Sequence, residues 1–214
     1  MFERELKDVG FIKRWGIVRT IRQQTVDGHT FCVVMSVNDL CIWLGAAITP
    51  EQHLAALQQA MWHDVDEIFS SDIPGPSKRA LVQDKGIYES TMDDWMRRVF
   101  GVQYPVRSGK ILGDQAMTAA ITSIIKVADH TDAAMEMACE LQLGNANVDI
   151  HMEANIARMR DSVELMGRLW GVPEKVYEGL ADQIEGAIHH QHTGYSWGPN
   201  ITKEDIRLSG RPTI

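Results

Sequence analysis

Apolar residues recur every three to four positions along most of the chain, which is the spacing of amphipathic helices. Two of the longer patterns end at glycine-containing stops, Gly144-Asn145 and Gly171 followed by Pro173. The long helices predicted in this way run from His29 to Leu44, from about Asp114 to Leu143, from Asn147 to Trp170 and from Glu174 to His190.

Shorter helical patterns fill the first half of the chain. Residues 2–15 mix charged and apolar side chains at helical spacing, and a short helix is predicted around Ser90–Phe100. Thr49-Pro50-Glu51 is a strong helix start, with a capping threonine, a proline at the first position and an acid in the first turn. That helix is predicted to continue to Phe69. Alternating strand patterns are nearly absent, so the sequence predicts an all-α fold.

We expect one domain over residues 1–192, followed by a turn-rich tail over residues 193–214. The chain of 214 residues is long enough to bury a sizeable core. Its net charge of -8 argues against binding of nucleic-acid polymers or of anionic membranes. No apolar run approaches the roughly 20 residues that span a bilayer, and three cysteines without CxxC spacing favour reduced, buried thiols. These features predict a soluble, cytoplasmic protein.

The stretch Met61–Lys78 contains the clearest candidate chemistry. His63 and Asp64 are adjacent, and Glu67 follows at a spacing that would put it on the same helix face. An imidazole with carboxylates suits a divalent metal, and Glu67 would remain to move a proton. Asp72 precedes two prolines, which predicts a stiff loop at the end of the helix.

Further metal ligands would have to come from other helices. His29 lies at the start of the first apolar helix, where a capping role is the simpler explanation. Asp129 interrupts an apolar stretch, and a carboxylate facing a core has to be paired or metal-bound. The alternative is that Asp129, His130 and Asp132 share one solvated face.

The order of these residues resembles that of the HD-domain metal-dependent phosphohydrolases, in which H…HD…D on different helices binds one divalent metal. The longer pattern RW…H…HDxxExxxxDxPxPxK…KxxD, from about residue 10 to residue 145, resembles the 5'-deoxynucleotidase branch, the YfbR-like family. One departure is Gly28, where family members commonly have a glutamate. The resemblance implies an HD-domain helical bundle with catalytic Glu67 and Asp72. It assigns to the metal His29, His63, Asp64 and Asp129.

The same resemblance, with the chemistry of each side chain, suggests how a substrate would bind. Arg14, Lys78 and Lys126 would contact phosphate oxygens, although lysine and arginine are more often solvated surface residues. Trp15 would pack against the sugar and exclude a ribose hydroxyl, and Asp72 would accept a hydrogen bond from the 3' hydroxyl. An apolar slot around the base would be formed by Ile17 and Pro74. A structural role in packing or turns is the alternative for Trp15, Asp72, Ile17 and Pro74.

Within the branch, small phage enzymes that remove triphosphate from dATP carry an isoleucine two positions after the tryptophan, as Ile17 is here. We therefore expect a dATP triphosphohydrolase that depletes dATP in a phage with modified adenine. A 5'-deoxynucleotidase acting on dNMP is the alternative, and a catalytically silent nucleotide-binding protein is another. The expected cofactor is zinc, cobalt or manganese, with magnesium possible alongside a triphosphate. The resemblance also implies a homo-oligomer, dimer or hexamer, in the host cytoplasm if the protein is phage-encoded.

Overall fold

The fold is all-α, as predicted. The computed structural model describes residues 7–71, 85–100 and 114–193. Within these residues there is no strand, and the single β-bridge joins Lys13 to Thr25. The helices are α1 (Val26–Leu44), α2 (Pro50–Trp62), α3 (Glu67–Ser70), α4 (Lys85–Phe100), α5 (Gln115–Gln142), α6 (Asp149–Leu169) and α7 (Glu174–Thr193). The predicted tail falls almost wholly outside the described residues.

Helix α5 is the centre of the bundle. It packs against α1, α2, α6 and α7, and α1 also packs against α2. Its small and β-branched residues allow this close approach on several sides, and those that are fully buried include Ile121, Ile124, Val127, Ala128 and Ala134. His29 on α1 and Asp129 on α5, described below, lie where these two helices meet.

Local signals in the sequence predicted several helix ends correctly. Thr49 and Gln52 form a reciprocal capping box at the start of α2, and the Asp114 side chain accepts a hydrogen bond from the Ala116 N–H at the start of α5. Gly144 has φ of +90°, a conformation that favours glycine, directly after α5. Helix α1 begins three residues before the predicted His29, and α4 begins before the predicted Ser90.

The helical spacing over residues 2–15 corresponds to helix in the described part only as far as Phe11. After a short 3-10 turn at Val9–Phe11, the chain runs extended and folds back on itself. The Arg14 N–H donates to the Gln24 carbonyl, and the Val26 N–H donates to the Ile12 carbonyl. Backbone pairing between the two arms therefore satisfies groups that a helix would have satisfied internally.

The predicted continuous helix from Pro50 to Phe69 is also wrong, because α2 ends at Trp62. The His63 Nδ1 contacts the Ala60 carbonyl at 2.7 Å, and the His63 N–H donates to the same oxygen. In a continuing helix that oxygen would bond the Asp64 N–H instead. A tight turn follows, and Glu67 starts the short helix α3.

Helix α1 is more exposed than its apolar sequence predicts. Only part of it is buried, and Phe31, Met35 and Ile42 are 66%, 50% and 63% exposed along one side. The segment Val26–Ala47 is long and apolar enough, by length and composition, to cross a membrane, contrary to the expectation that none was. Its buried side packs against α2 and α5, as in the core helix of a globular protein. Cys32 is exposed rather than buried, whereas Cys41 is buried as predicted.

Candidate metal centre and active site

The structure brings together the predicted metal ligands from helices α1 and α5 and from the turn that follows α2. His29 in the first turn of α1 is fully buried, and its Nε2 lies 3.1 Å from the Nε2 of His63. The same His29 nitrogen lies 3.4 Å from an oxygen of Asp64 and 3.4 Å from an oxygen of Asp129 on α5. The Asp64 oxygen is also 3.3 Å from His63 Nε2.

The hydrogen bonds at the other ring nitrogens fix what the two imidazoles present to each other. His29 Nδ1 lies 2.6 Å from a carboxylate oxygen of Asp132, and His63 Nδ1 lies 2.7 Å from the Ala60 carbonyl. Both partners can only accept, so each Nδ1 carries the hydrogen. In the neutral rings both Nε2 lone pairs then face one another between two carboxylates. Such lone pairs repel unless a cation lies among them.

The pKa values of His29 and Asp64 show how strongly the carboxylates and imidazoles of this site interact. Burial alone would lower the pKa of His29, but hydrogen bonds with Asp129, Asp132 and Asp64 outweigh it and raise the pKa to about 10. Burial would raise the pKa of Asp64, yet the neighbouring His63 and His29 hold it well below its usual range. The residues therefore strongly favour a positive charge at this point.

This donor set fits a divalent metal. Two imidazoles and carboxylate oxygens are ligands of zinc and of other borderline or hard divalent ions. One ligand atom from each of His29, His63 and Asp64 lies within 4.8 Å of the others. An oxygen of Asp129 also lies near this group, 3.4 Å from His29 Nε2.

Two predicted phosphate-binding cations lie beside Asp129. Lys126, one turn before it on α5, reaches the Asp129 carboxylate at 2.8 Å, and Arg14 approaches the other oxygen at 3.8 Å. Burial would raise the pKa of Asp129, but the Lys126 charge and the His29 hydrogen bond keep it well below its usual range.

The other predicted residues vary in how closely the structure ties them to the centre. Trp15 is half-buried under the Arg14 guanidinium and has φ of +66°, an uncommon backbone conformation for a bulky residue. Glu67 is buried, and its N–H donates to the Asp64 carbonyl. Ile17 is 68% exposed, so the structure shows no enclosed slot formed by it. Predictions for Asp72, Pro74 and Lys78 lie outside the described residues.

Sequence reasoning missed two polar residues that contact the predicted site. Asp132 is buried against His29 instead of facing solvent, and Gln24 donates to its carboxylate at 2.8 Å. The signal for Asp132 was present, since it lies three residues after Asp129 and therefore on the same side of α5. No pattern in the sequence marked Gln24. His130 points away from the centre, as predicted, to Ser162 on α6.

Comparison with known proteins identifies the family. The family model described as "5'-deoxynucleotidase YfbR-like" matches residues 1–166. The chain belongs to the YfbR-like family. It resembles a 5'-deoxynucleotidase from Photorhabdus temperata, with 25% identity over 173 residues, 78% of this chain and 84% of that protein.

Other YfbR-like relatives include phage enzymes. The dATP triphosphohydrolase of Salmonella phage PMBT28 is 34% identical over 85 residues, which is 36% of this chain and 43% of that protein. That alignment thus spans less than half of the phage enzyme. Among solved structures, the cyanophage S-2L HD phosphohydrolase DatZ, bound to dA and one catalytic Zn²⁺ ion, matches with a TM-score of 0.62 at 19% identity. The match covers 89% of this chain and 98% of DatZ, and it shows the shared fold.

Proposed function

We propose that this protein is a metal-dependent phosphohydrolase of deoxynucleotides that converts dATP and water to deoxyadenosine and triphosphate. The observation that carries the proposal is the convergence of His29, His63, Asp64 and Asp129, with both imidazole Nε2 atoms directed at one point. The phage relatives named dATP triphosphohydrolase, from Salmonella phage PMBT28 and Acinetobacter phage SH-Ab 15497, support this substrate.

Under this proposal His29, His63, Asp64 and Asp129 hold the ion. When bound, a divalent metal supplies a Lewis acid and a water molecule of lowered pKa. Hydrolysis adds water to the α-phosphorus and breaks its bond to the 5' oxygen, which must then gain a proton. Glu67 is the proposed group that orients the water or delivers this proton. Its burial and the hydrogen bond from its N–H to the Asp64 carbonyl support that role.

Arg14 and Lys126 are proposed to bind the phosphates. Both cations lie within 4 Å of Asp129 oxygens, which supports a role in binding negative charge beside the proposed metal. Arginine can hold two phosphate oxygens at once, whereas lysine contributes a point charge. Lys78 is proposed to add a further charge.

The remaining proposed contacts select the deoxynucleoside. Trp15 would pack against the sugar, and its uncommon backbone conformation supports a functional role for that position. Asp72 would accept a hydrogen bond from the 3' hydroxyl. Ile17 and Pro74 would contact the base, where apolar shape alone discriminates by roughly 1–3 kcal/mol.

A second candidate is a 5'-deoxynucleotidase that converts dNMP to deoxynucleoside and phosphate. It is favoured by the extent of similarity, since the bacterial 5'-deoxynucleotidases align with 67–78% of the chain and the phage enzymes with 36–41%. The two activities would share the same metal ligands and differ in the room for the β- and γ-phosphates.

We propose zinc, cobalt or manganese as the metal, and a homo-oligomer, either dimer or hexamer. We place it in the cytoplasm, which is that of the host if the protein is phage-encoded. The exposed apolar side of α1, formed by Phe31, Met35 and Ile42, supports an assembly, because burying it would remove apolar surface from water. No nucleic-acid polymer or membrane partner is proposed.

The test is a product assay on metal-loaded protein with the four dNTPs, the matching dNMPs and ATP, resolved by chromatography. Deoxyadenosine with intact triphosphate from dATP is expected, and the His63→Ala variant should be inactive. Turnover of dNMPs alone would establish the second candidate. No turnover by protein that demonstrably binds metal would overturn both and leave a nucleotide-binding protein without activity.

A further inference from the structure

Gln24 and Asp132 stand outside the predicted metal and substrate residues but touch both groups. The Gln24 side-chain NH₂ donates to an Asp132 oxygen at 2.8 Å, and the same oxygen lies 2.6 Å from His29 Nδ1. On its other side, Gln24 Oε1 accepts from the Arg14 guanidinium and from the Trp15 indole N–H, each at 3.2 Å. These contacts connect a metal ligand to two residues proposed to bind substrate.

The chemistry of the partners leaves one arrangement of the Gln24 amide. A carboxylate can only accept, so the amide nitrogen must face Asp132. A guanidinium and an indole N–H can only donate, so the amide oxygen must face Arg14 and Trp15. A flipped amide would place its NH₂ against the donors of Arg14 and Trp15, and its oxygen against the Asp132 carboxylate.

The burial of the network gives these contacts weight. His29 is fully buried, and the side chains of Asp132 and Arg14 are 10% and 13% exposed. Hydrogen bonds in such surroundings are poorly replaced by water, so loss of one partner leaves the next misoriented or unsatisfied. A backbone hydrogen bond from Arg14 to Gln24 holds the two arms of the segment together beside the side-chain contacts.

We propose that Asp132 and Gln24 are positioning residues that hold His29 and the Arg14–Trp15 pair in one geometry, so that metal binding and substrate binding are coupled. Asp132 fixes the Nδ1–H form of His29 and directs its Nε2 at the metal. Gln24 passes this orientation on to Arg14 and Trp15. The substrate half of this inference rests on the proposed function, whereas the metal half does not.

The metal half is tested by the affinity of purified protein for Zn²⁺, measured in competition with a chromophoric chelator, and by the visible absorption spectrum of Co²⁺-loaded protein. Asp132→Ala is expected to weaken the metal 10- to 100-fold and to alter the Co²⁺ spectrum. Asp132→Asn keeps an oxygen acceptor for both partners and is expected to restore most of the affinity. Gln23→Ala, at the exposed neighbouring position, is the matched control.

The substrate half is tested with Gln24→Ala, which leaves the contact between His29 and Asp132 in place. KM for the deoxynucleotide is expected to rise about tenfold, while Zn²⁺ affinity changes less than threefold. Thermal melting of each variant without metal separates these effects from unfolding. If Asp132→Ala does not fold, Asp132→Leu, which also removes the acceptor but keeps a side chain of similar size, decides the metal half by its Zn²⁺ affinity and Co²⁺ spectrum.

Wild-type metal affinity and an unchanged Co²⁺ spectrum in folded Asp132→Ala, or in Asp132→Leu if only that variant folds, would overturn the role of Asp132. An unchanged KM in Gln24→Ala would overturn the role of Gln24. Failure of the proposed function is distinguishable from both outcomes. An inactive wild type gives no KM but still reports its metal affinity and its Co²⁺ spectrum, whereas an active wild type with an unchanged KM in Gln24→Ala refutes only the role of Gln24.

Discussion

Glu140 offers a sharp test of how the segment before α1 is held in place. Its side chain is fully buried near the end of α5. One carboxylate oxygen accepts from the Ile21 N–H at 2.5 Å and from the Asn145 amide at 2.8 Å, and the other accepts from the Arg22 N–H at 2.7 Å. We predict that Glu140→Gln is strongly destabilising although the two side chains have nearly the same size.

The magnitude follows from counting these bonds. The less costly placement of the new amide puts its oxygen toward Ile21 and Asn145 and its NH₂ toward the Arg22 N–H. One backbone donor then loses its acceptor, at a cost of about 1–3 kcal/mol, and the two remaining bonds lose the contribution of the charge. The expected total is about 2–4 kcal/mol in the free energy of unfolding.

The dependence on pH provides a second signature. Burial would raise the pKa of Glu140, but the hydrogen bonds from Asn145, Ile21 and Arg22 outweigh it and hold the pKa below 4.5. A carboxylate with a lowered pKa in the folded state stabilises the protein above its unfolded pKa, and this contribution is lost as pH falls through the folded value. The difference between wild type and Glu140→Gln should therefore be constant from about pH 8 to pH 5 and shrink below about pH 4.5.

Urea unfolding followed by circular dichroism measures both quantities. Glu164→Gln, which removes an exposed carboxylate paired with Arg168, is the matched control and should stay within about 0.5 kcal/mol of wild type. A loss below 0.5 kcal/mol for Glu140→Gln, or a difference that grows as pH falls, would refute the reasoning.

Three further predictions concern the metal, the phosphate cations and the packing of α6 on α7. Chelation should lower the melting temperature of the wild type by several degrees and that of His63→Ala much less, because the metal stabilises only the folded chain; equal shifts would contradict the site. Arg14→Lys should lower kcat/KM about tenfold through loss of the forked contact, with exposed Arg19→Lys unchanged in the same assay. Gly167→Ala should cost about 2–3 kcal/mol in urea unfolding, since its Cβ would lie 2.2 Å from a Tyr177 ring carbon, whereas Gly179→Ala has open space and should be neutral or stabilising.

Much of the fold could be predicted because its signals are local. Caps at Thr49 and Asp114 and the positive-φ glycine after α5 each act within a few residues, so the sequence alone marks them. The break after Trp62 could not be predicted in the same way. It depends on the ring of His63 bonding the Ala60 carbonyl, and that choice is made together with the placement of the ring toward His29.

The candidate site was predictable as a set of residue types and spacings, but its supporting contacts were not. His29, His63, Asp64 and Asp129 were identified from a family-like order of residues, and the structure brings them together. Gln24 lies in a polar stretch without periodicity, and its partner Asp132 is 108 residues away in the chain. Contacts of that kind follow from how α5 docks on α1, which no local pattern encodes.

The separation of these partners also orders events during synthesis on the ribosome. His29 and Asp132 are 103 residues apart in the chain. Glu140 and the Ile21 N–H that it binds are 119 residues apart. When α1 emerges, His29 has neither the Asp132 carboxylate nor the turn after α2 and helix α5, which bring His63, Asp64 and Asp129 to it. With the proposed ligands, a metal would be retained only after α5 has been made and has docked, so the ion would secure a finished bundle and would not guide the early chain.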